Sequence, residues 1–188
     1  MYEVFNKELS YIKDEKIKNS LKTMLNLLPE YFYQIPASST GKYHPEFTLG
    51  DGGLVRHTKA AVRIAYELLQ NPAINNFTDE EKDLILFALT VHDGLKNGKV
   101  KERYTAFDHP IQMSNYIKEN KDKLELNDKQ IDLVCRCIAT HMGPWTTDFN
   151  GNEVLESPKD KYQRFVHMCD YLASRKFLNI KFENNEIN

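Results

Sequence analysis

The stretch that most constrains this chain runs from Thr78 to Asp93. Thr78-Asp79-Glu80-Glu81 reads as a helix start, with Thr78 as N-cap and Glu81 at capping-box spacing. Leu84, Ile85, Phe87, Ala88, Leu89 and Val91 then leave the helix few polar positions. A helix this apolar belongs at the centre of a domain, with other elements packed around it. It runs directly into His92-Asp93. An ionised Asp93 at the end of a buried helix is costly without a partner, and a bound cation would supply one. Imidazole and carboxylate are also two ligand types that can share one ion.

The rest of the chain supplies the surroundings. From Val4 to Tyr33, apolar residues recur at helical spacing, with a break near Lys13-Asp14 and a stop at Pro29. Ile35 to Glu46 is a loop containing Ser38, Ser39, Lys42 and His44, donors and positive charge that suit a phosphate. Leu54 to Leu69 reads as a helix with His57 near its start, stopped by Asn71-Pro72. Gly94, Asn97 and Gly98 turn the chain after His92-Asp93, with Lys96 inside the turn. Asp108-His109-Pro110 reads as the next helix start, with Asp108 as N-cap and His109 at an exposed entrance. A helix beginning at Leu126-Asn127-Asp128 runs to Thr140-His141 and is broken by Gly143-Pro144. Trp145 to Ser157 is polar and irregular, and Pro158-Lys159 opens the last main helix. Asp170 falls in that helix among Phe165, Val166, Cys169 and Leu172, an uncommon place for an unpaired carboxylate.

Bulk properties exclude several classes. The 188 residues suffice for one domain with a sizeable core. A net charge of -2 gives no broad basic field for nucleic acid, so any such contact is local. No apolar run approaches the roughly 20 residues that span a bilayer, and the start lacks the basic-then-apolar order of a signal peptide. Cys135, Cys137 and Cys169 have no zinc-pair spacing and are expected to be reduced, buried thiols. A cytoplasmic protein without a membrane partner is expected.

The order of His57, His92-Asp93, His109, His141 and Asp170 resembles the HD superfamily of metal-dependent phosphohydrolases. The resemblance covers roughly Pro36 to Arg175. It is strongest to the HD domain of the YhaM-type 3′–5′ exoribonucleases, through Pro36-Ala37-Ser38-Ser39, Tyr43-His44, Gly53-Leu54 running into His57, Thr140-His141-Met142-Gly143 and Asp170-Tyr171-Leu172-Ala173-Ser174. It implies a single all-α domain of about six to eight helices over residues 1–188: an N-terminal helical segment at 1–34, the core at 36–175 and a frayed tail at 183–188.

The resemblance also implies a division of labour. His57, His92, Asp93 and Asp170 would hold one divalent ion. His109 and His141 would add a second ion or face the phosphate, with Asp93 bridging. The ion could be manganese, iron, nickel, cobalt, zinc or magnesium; one is expected and the function does not require the second. Asp93 and Lys96 would be the catalytic pair, Lys96 as the phosphate-contacting lysine. Ser38, Ser39, Lys42, His44, Trp145 and Arg175 would line the substrate side, with Trp145 stacking on a base. Such a site hydrolyses a phosphoester of a nucleotide, cyclic nucleotide or short oligonucleotide through a metal-activated water. The alternative is a non-catalytic binding or regulatory module on the same fold. Its support is Gly94, which follows the pair directly where the family has its glycine one residue later. Met142 stands where binuclear members often carry a second histidine, which bears on the second ion alone.

Overall fold

Helix α4 (Asp79–Val91) lies at the centre, as its composition demands. Every residue from Asp83 to Val91 is buried. Against it pack α2 (Glu15–Leu27), α3 (Gly53–Gln70), α6 (Asp128–Ala139) and α7 (Lys161–Ala173). The short α1 (Asn6–Ser10) joins α2 and α3, and α5 (His109–Glu119) lies along α6. This computed structural model describes residues 2–38, 41, 44–178 and 180–187. Its architecture is all-α, with seven α-helices among the described residues, and Phe5, Phe32, Leu54, Phe87 and Val166 are among the fully buried core residues.

The helix boundaries follow from local chemistry. The capping box at the start of α4 forms as the sequence predicts: Glu81 N donates to Thr78 Oγ1 and Thr78 N donates to Glu81 Oε2. A second box, Asn127 with Gln130, opens α6. In α2, Ile17, Leu21, Met24 and Leu25 form the buried stripe, and Leu28 is extended because Pro29 follows it.

Three boundary expectations need correction. The last main helix opens at Lys161 and not at Pro158-Lys159, because Asp160 caps it by accepting from Tyr162 N and Gln163 N. Asp108 occupies the N-cap position of α5, but its side chain caps nothing and instead accepts from Gln112 Nε2 at 2.8 Å. Of the tail expected to fray, residues 183–187 are instead ordered in a hairpin, and Asn188 lies outside the described residues. Residues Phe182–Glu183 and Glu186–Ile187 form an antiparallel hairpin, β1 and β2, whose turn residues Asn184 and Asn185 both have positive φ. Lys59, fully buried on α3, binds the hairpin through Glu186 at 2.6 Å and α1 through Glu8 at 3.2 Å. Phe182 stacks on Phe47.

A buried polar contact joins the centre to the N-terminal helices. Asp83 of α4 is buried, and its Oδ2 accepts from Lys13 N at 3.0 Å and Asp14 N at 2.8 Å. Asp14 in turn caps α2. Asp83→Ala is expected to lower stability by about 2 kcal/mol, the range for losing charge-assisted hydrogen bonds. A urea titration checks this; a loss under about 0.5 kcal/mol would show that the contact is replaceable by solvent.

Candidate metal centre and cleft

Five helices deliver the site. His57 comes from the second turn of α3, His92 and Asp93 from the end of α4, His109 from the start of α5, His141 from just beyond α6, and Asp170 from inside α7. All but Asp170 are about 1% exposed or less; the Asp170 side chain is 17% exposed. His109 is thus buried, not at an exposed entrance: its backbone N and its Nδ1 bond Ala106 O, and its Nε2 points inward to Asp93 and His141.

The atoms converge in two groups that share Asp93. In the first, His57 Nε2 lies 2.9 Å from Asp170 Oδ1 and 3.8 Å from Asp93 Oδ2. His92 Nε2 lies 3.4 Å from Asp170 Oδ1 and 3.5 Å from Asp93 Oδ2. In the second, Asp93 Oδ1 lies 3.0 Å from His109 Nε2 and 3.5 Å from His141 Nε2. The two imidazole nitrogens are themselves 3.2 Å apart. Within His57, His92 and Asp170, and within His92, Asp93 and His141, the ligand atoms lie within 4.8 Å of one another.

Backbone carbonyls set the tautomers. A carbonyl oxygen only accepts, so each ring nitrogen facing one is a donor. His92 Nδ1 donates to Leu89 O, His109 Nδ1 to Ala106 O and His141 Nδ1 to Ile138 O, at 2.7, 2.7 and 2.8 Å. Each neutral ring therefore turns an Nε2 lone pair inward. His109 and His141 then present lone pairs to each other and to Asp93 Oδ1, three acceptors with no donor between them. Among the described residues, His92 Nε2 and Asp93 Oδ1 find no hydrogen-bond partner, although both are buried. A cation satisfies all of these atoms, so the donor set fits a divalent metal ion.

The electrostatics agree. Burial opposes ionisation of Asp93, but Lys96 and His92 beside it hold its carboxyl well below the usual range. Burial likewise opposes ionisation of Asp170, and His57 and His92 overcome it. Burial also opposes protonation of His92, yet Asp93 and Asp170 raise its pKa above the ordinary value, so the cluster draws positive charge inward. His141 is pushed down to about 4, mainly by burial, which keeps its lone pair free at neutral pH. Two carboxylates sit in the cluster and Lys96 pairs with Asp93, so a bound cation would balance the charge that remains.

Lys96 Nζ reaches Asp93 Oδ2 at 2.5 Å, so the glycine position does not misdirect it. Gly94 has a packing reason: a Cβ there would lie 2.6 Å from Leu28 Cδ2 and 2.9 Å from Met113 Sδ.

The cluster lies at the floor of a cleft of about 620 Å3. Of the residues assigned to substrate from the sequence, Ser38, His44, Trp145 and Arg175 line it. Ser39 and Lys42 lie outside the described residues. The His44 ring sits 5.7 Å from that of His57, and burial, with His57 next, pushes its pKa down to about 4. Trp145 is not core: it is 50% exposed.

Sequence reasoning passed over Thr105, Met142, Tyr171 and Ser174, which also line the cleft. Tyr171 and Ser174 were findable, since helical spacing puts them beside Asp170 and His167. His167 supports the site from behind. Its Nδ1 donates to His141 O at 2.7 Å, and its ring lies so close to Gly143 that a Cβ would meet it at 2.1 Å.

Among comparisons with known proteins, the model of the HD domain matches residues 54–175, which include His57, His92, Asp93, His109, His141 and Asp170. No curated protein and no solved structure gives a significant match. If Asp93 serves both groups, Asp93→Ala purifies with less than about a tenth of the wild-type metal, by elemental mass spectrometry. His167→Ala, which removes no inward-facing nitrogen, retains most of it. Full metal content in Asp93→Ala would contradict the shared-ligand geometry.

Proposed function

The chain belongs to the HD-domain family, and from that premise we propose that it is a metal-dependent phosphohydrolase acting on a phosphoester of a nucleotide, cyclic nucleotide or short oligonucleotide. The observation that carries this reading is the inward convergence of imidazole Nε2 atoms from His57, His92, His109 and His141 on Asp93 at the floor of a cleft. His57, His92, Asp93 and Asp170 would hold one ion, and His109 and His141, with Asp93, are the donors for a second. A divalent cation there lowers the pKa of water and polarises a phosphoryl oxygen.

The protein's own residues do the remainder. The Leu89, Ala106 and Ile138 carbonyls keep the imidazoles in the ligating tautomer. Lys96 holds positive charge beside Asp93 and faces the cleft, where it can meet a phosphate oxygen. Arg175 brings a second cation to the rim, and His44 and Ser38 line the opposite loop. His44, unprotonated at neutral pH, can accept a hydrogen bond from a substrate hydroxyl or water. The likeness to YhaM-type exoribonucleases favours a nucleic-acid-derived substrate. The reading includes a cytoplasmic protein: Cys135, Cys137 and Cys169 are free and buried, and no helix among the described residues is long and apolar enough to cross a membrane. The rival reading, a non-catalytic module, rested on the glycine position, for which the contacts of Gly94 with Leu28 and Met113 supply a packing reason.

The test is hydrolysis of bis-p-nitrophenyl phosphate by metal-replete protein. Activity should vanish with chelator, return with Mn2+ or another divalent ion, and fall at least about 100-fold in Asp93→Ala. Chelator-resistant activity, or none with any metal, would overturn the reading. His44→Ala should keep its metal but lose about tenfold in kcat/KM for a nucleotide substrate, roughly 1.4 kcal/mol. Turnover equal to wild type would place the substrate on the other side of the cleft.

A further inference from the structure

Above the metal cluster, on the side of α7, three flat groups lie in series. The Trp145 indole stacks on the Tyr171 ring, with centroids 6.0 Å apart and planes 16° from parallel. The Arg175 guanidinium carbon lies 4.2 Å from the centroid of the same Tyr171 ring. Tyr171 is therefore shared between the other two. The edges are also held. His167 meets Trp145 edge-on at 6.1 Å, and Arg175 is tied to Ser174 Oγ at 2.7 Å and to Tyr171 O at 3.2 Å. All five residues line the same cleft as His57, His109, His141 and Asp170.

This arrangement is unusual for an exposed tryptophan. Half of the Trp145 surface is open, and 37% of Tyr171 is open. Left free, such a side chain would sample several rotamers, and a ligand would have to immobilise it. Here the phenol and imidazole hold the indole before anything binds, so less ordering entropy remains to be lost. A flat, exposed, preordered aromatic face beside a phosphate-binding cleft suits a flat aromatic ring, and base–aromatic stacking tolerates any base.

We infer that Tyr171 builds a nucleobase subsite: it orders Trp145 as a stacking platform for one base and holds Arg175 at the rim for the phosphate or sugar side of the same ligand. The inference rests on the phosphohydrolase reading for where the phosphate lies, and it deepens that reading by naming the residues that favour a phosphoester carrying an aromatic base over a sugar phosphate. Tyr171 is a positioning residue; Trp145 makes the contact. The phenol hydroxyl has no part in the stack, so Phe should replace Tyr and Ala should not.

Trp145 is the single tryptophan in the chain, so its fluorescence reports on the platform directly. Adenosine, AMP and ribose 5-phosphate are titrated into the purified metal-loaded protein. Adenosine and AMP should quench the emission saturably, and ribose 5-phosphate should not. Tyr171→Phe should bind adenosine as wild type does, and Tyr171→Ala should bind it about tenfold more weakly. In the same pair of variants, kcat/KM for AMP should fall in Tyr171→Ala alone. Trp145→Ala, followed by calorimetry, gives the same loss at an exposed position that does not threaten folding. Absence of quenching by adenosine, equal quenching by ribose 5-phosphate, or unchanged adenosine affinity in Tyr171→Ala and Trp145→Ala would overturn the inference. Adenosine quenching with no phosphoesterase activity would sink the enzymatic reading and leave the base subsite standing; hydrolysis without quenching would do the reverse.

Discussion

The Asp93 carboxylate is the point on which the structure turns. It ends the most buried helix of the domain, where an unpaired charge would be strongly destabilising. One oxygen meets Lys96 and faces His57 and His92; the other faces His109 and His141. These partners come from α3, α4, α5 and the end of α6, so satisfying one carboxylate requires four segments to meet at one place. The helices are packed by the apolar residues of α4, and their ends are registered by its terminal acid. A domain that orders so many imidazoles around one carboxylate keeps buried polarity that a purely structural core would replace with apolar side chains.

The second layer of the site is made of backbone. Three of the histidines bond a carbonyl three residues earlier, Leu89, Ala106 or Ile138. The same device serves at the end of α4, the start of α5 and the end of α6. It uses carbonyls at helix ends or turns to orient a ring, two of which, Ala106 O and Ile138 O, also accept the backbone N–H of the same histidine, and so couples helix termination to ligand geometry. His167 extends this by holding the His141 carbonyl from behind.

Much of this was legible in the residues, and the reasons differ from place to place. The centrality of α4 followed from its lack of a polar face. The convergence of His57, His92, Asp93 and Asp170 was legible only through resemblance, because spacing along a chain does not say which helix ends meet. The burial of His109 was not legible since a helix start is usually open, and nothing local announces that its ring turns inward to Asp93 and His141. The C-terminal hairpin was missed because Glu183 to Asn188 is polar; its stability comes from distant partners, Lys59, Lys7 and Phe47. The start of α7 was misplaced by favouring Pro158 over the stronger capping chemistry of Asp160. Tyr171 was passed over although its spacing from His167 and Asp170 pointed to the cleft.

The central claim is that imidazole Nε2 atoms and the Asp93 and Asp170 carboxylates hold a divalent ion. Anomalous diffraction at the absorption edge of the metal found in the purified protein tests it most directly. The account predicts a peak within about 2.0–2.3 Å of His57 Nε2, His92 Nε2 and an oxygen of both Asp93 and Asp170. A peak bonded to Nδ1 atoms, or located away from Asp93, would contradict it.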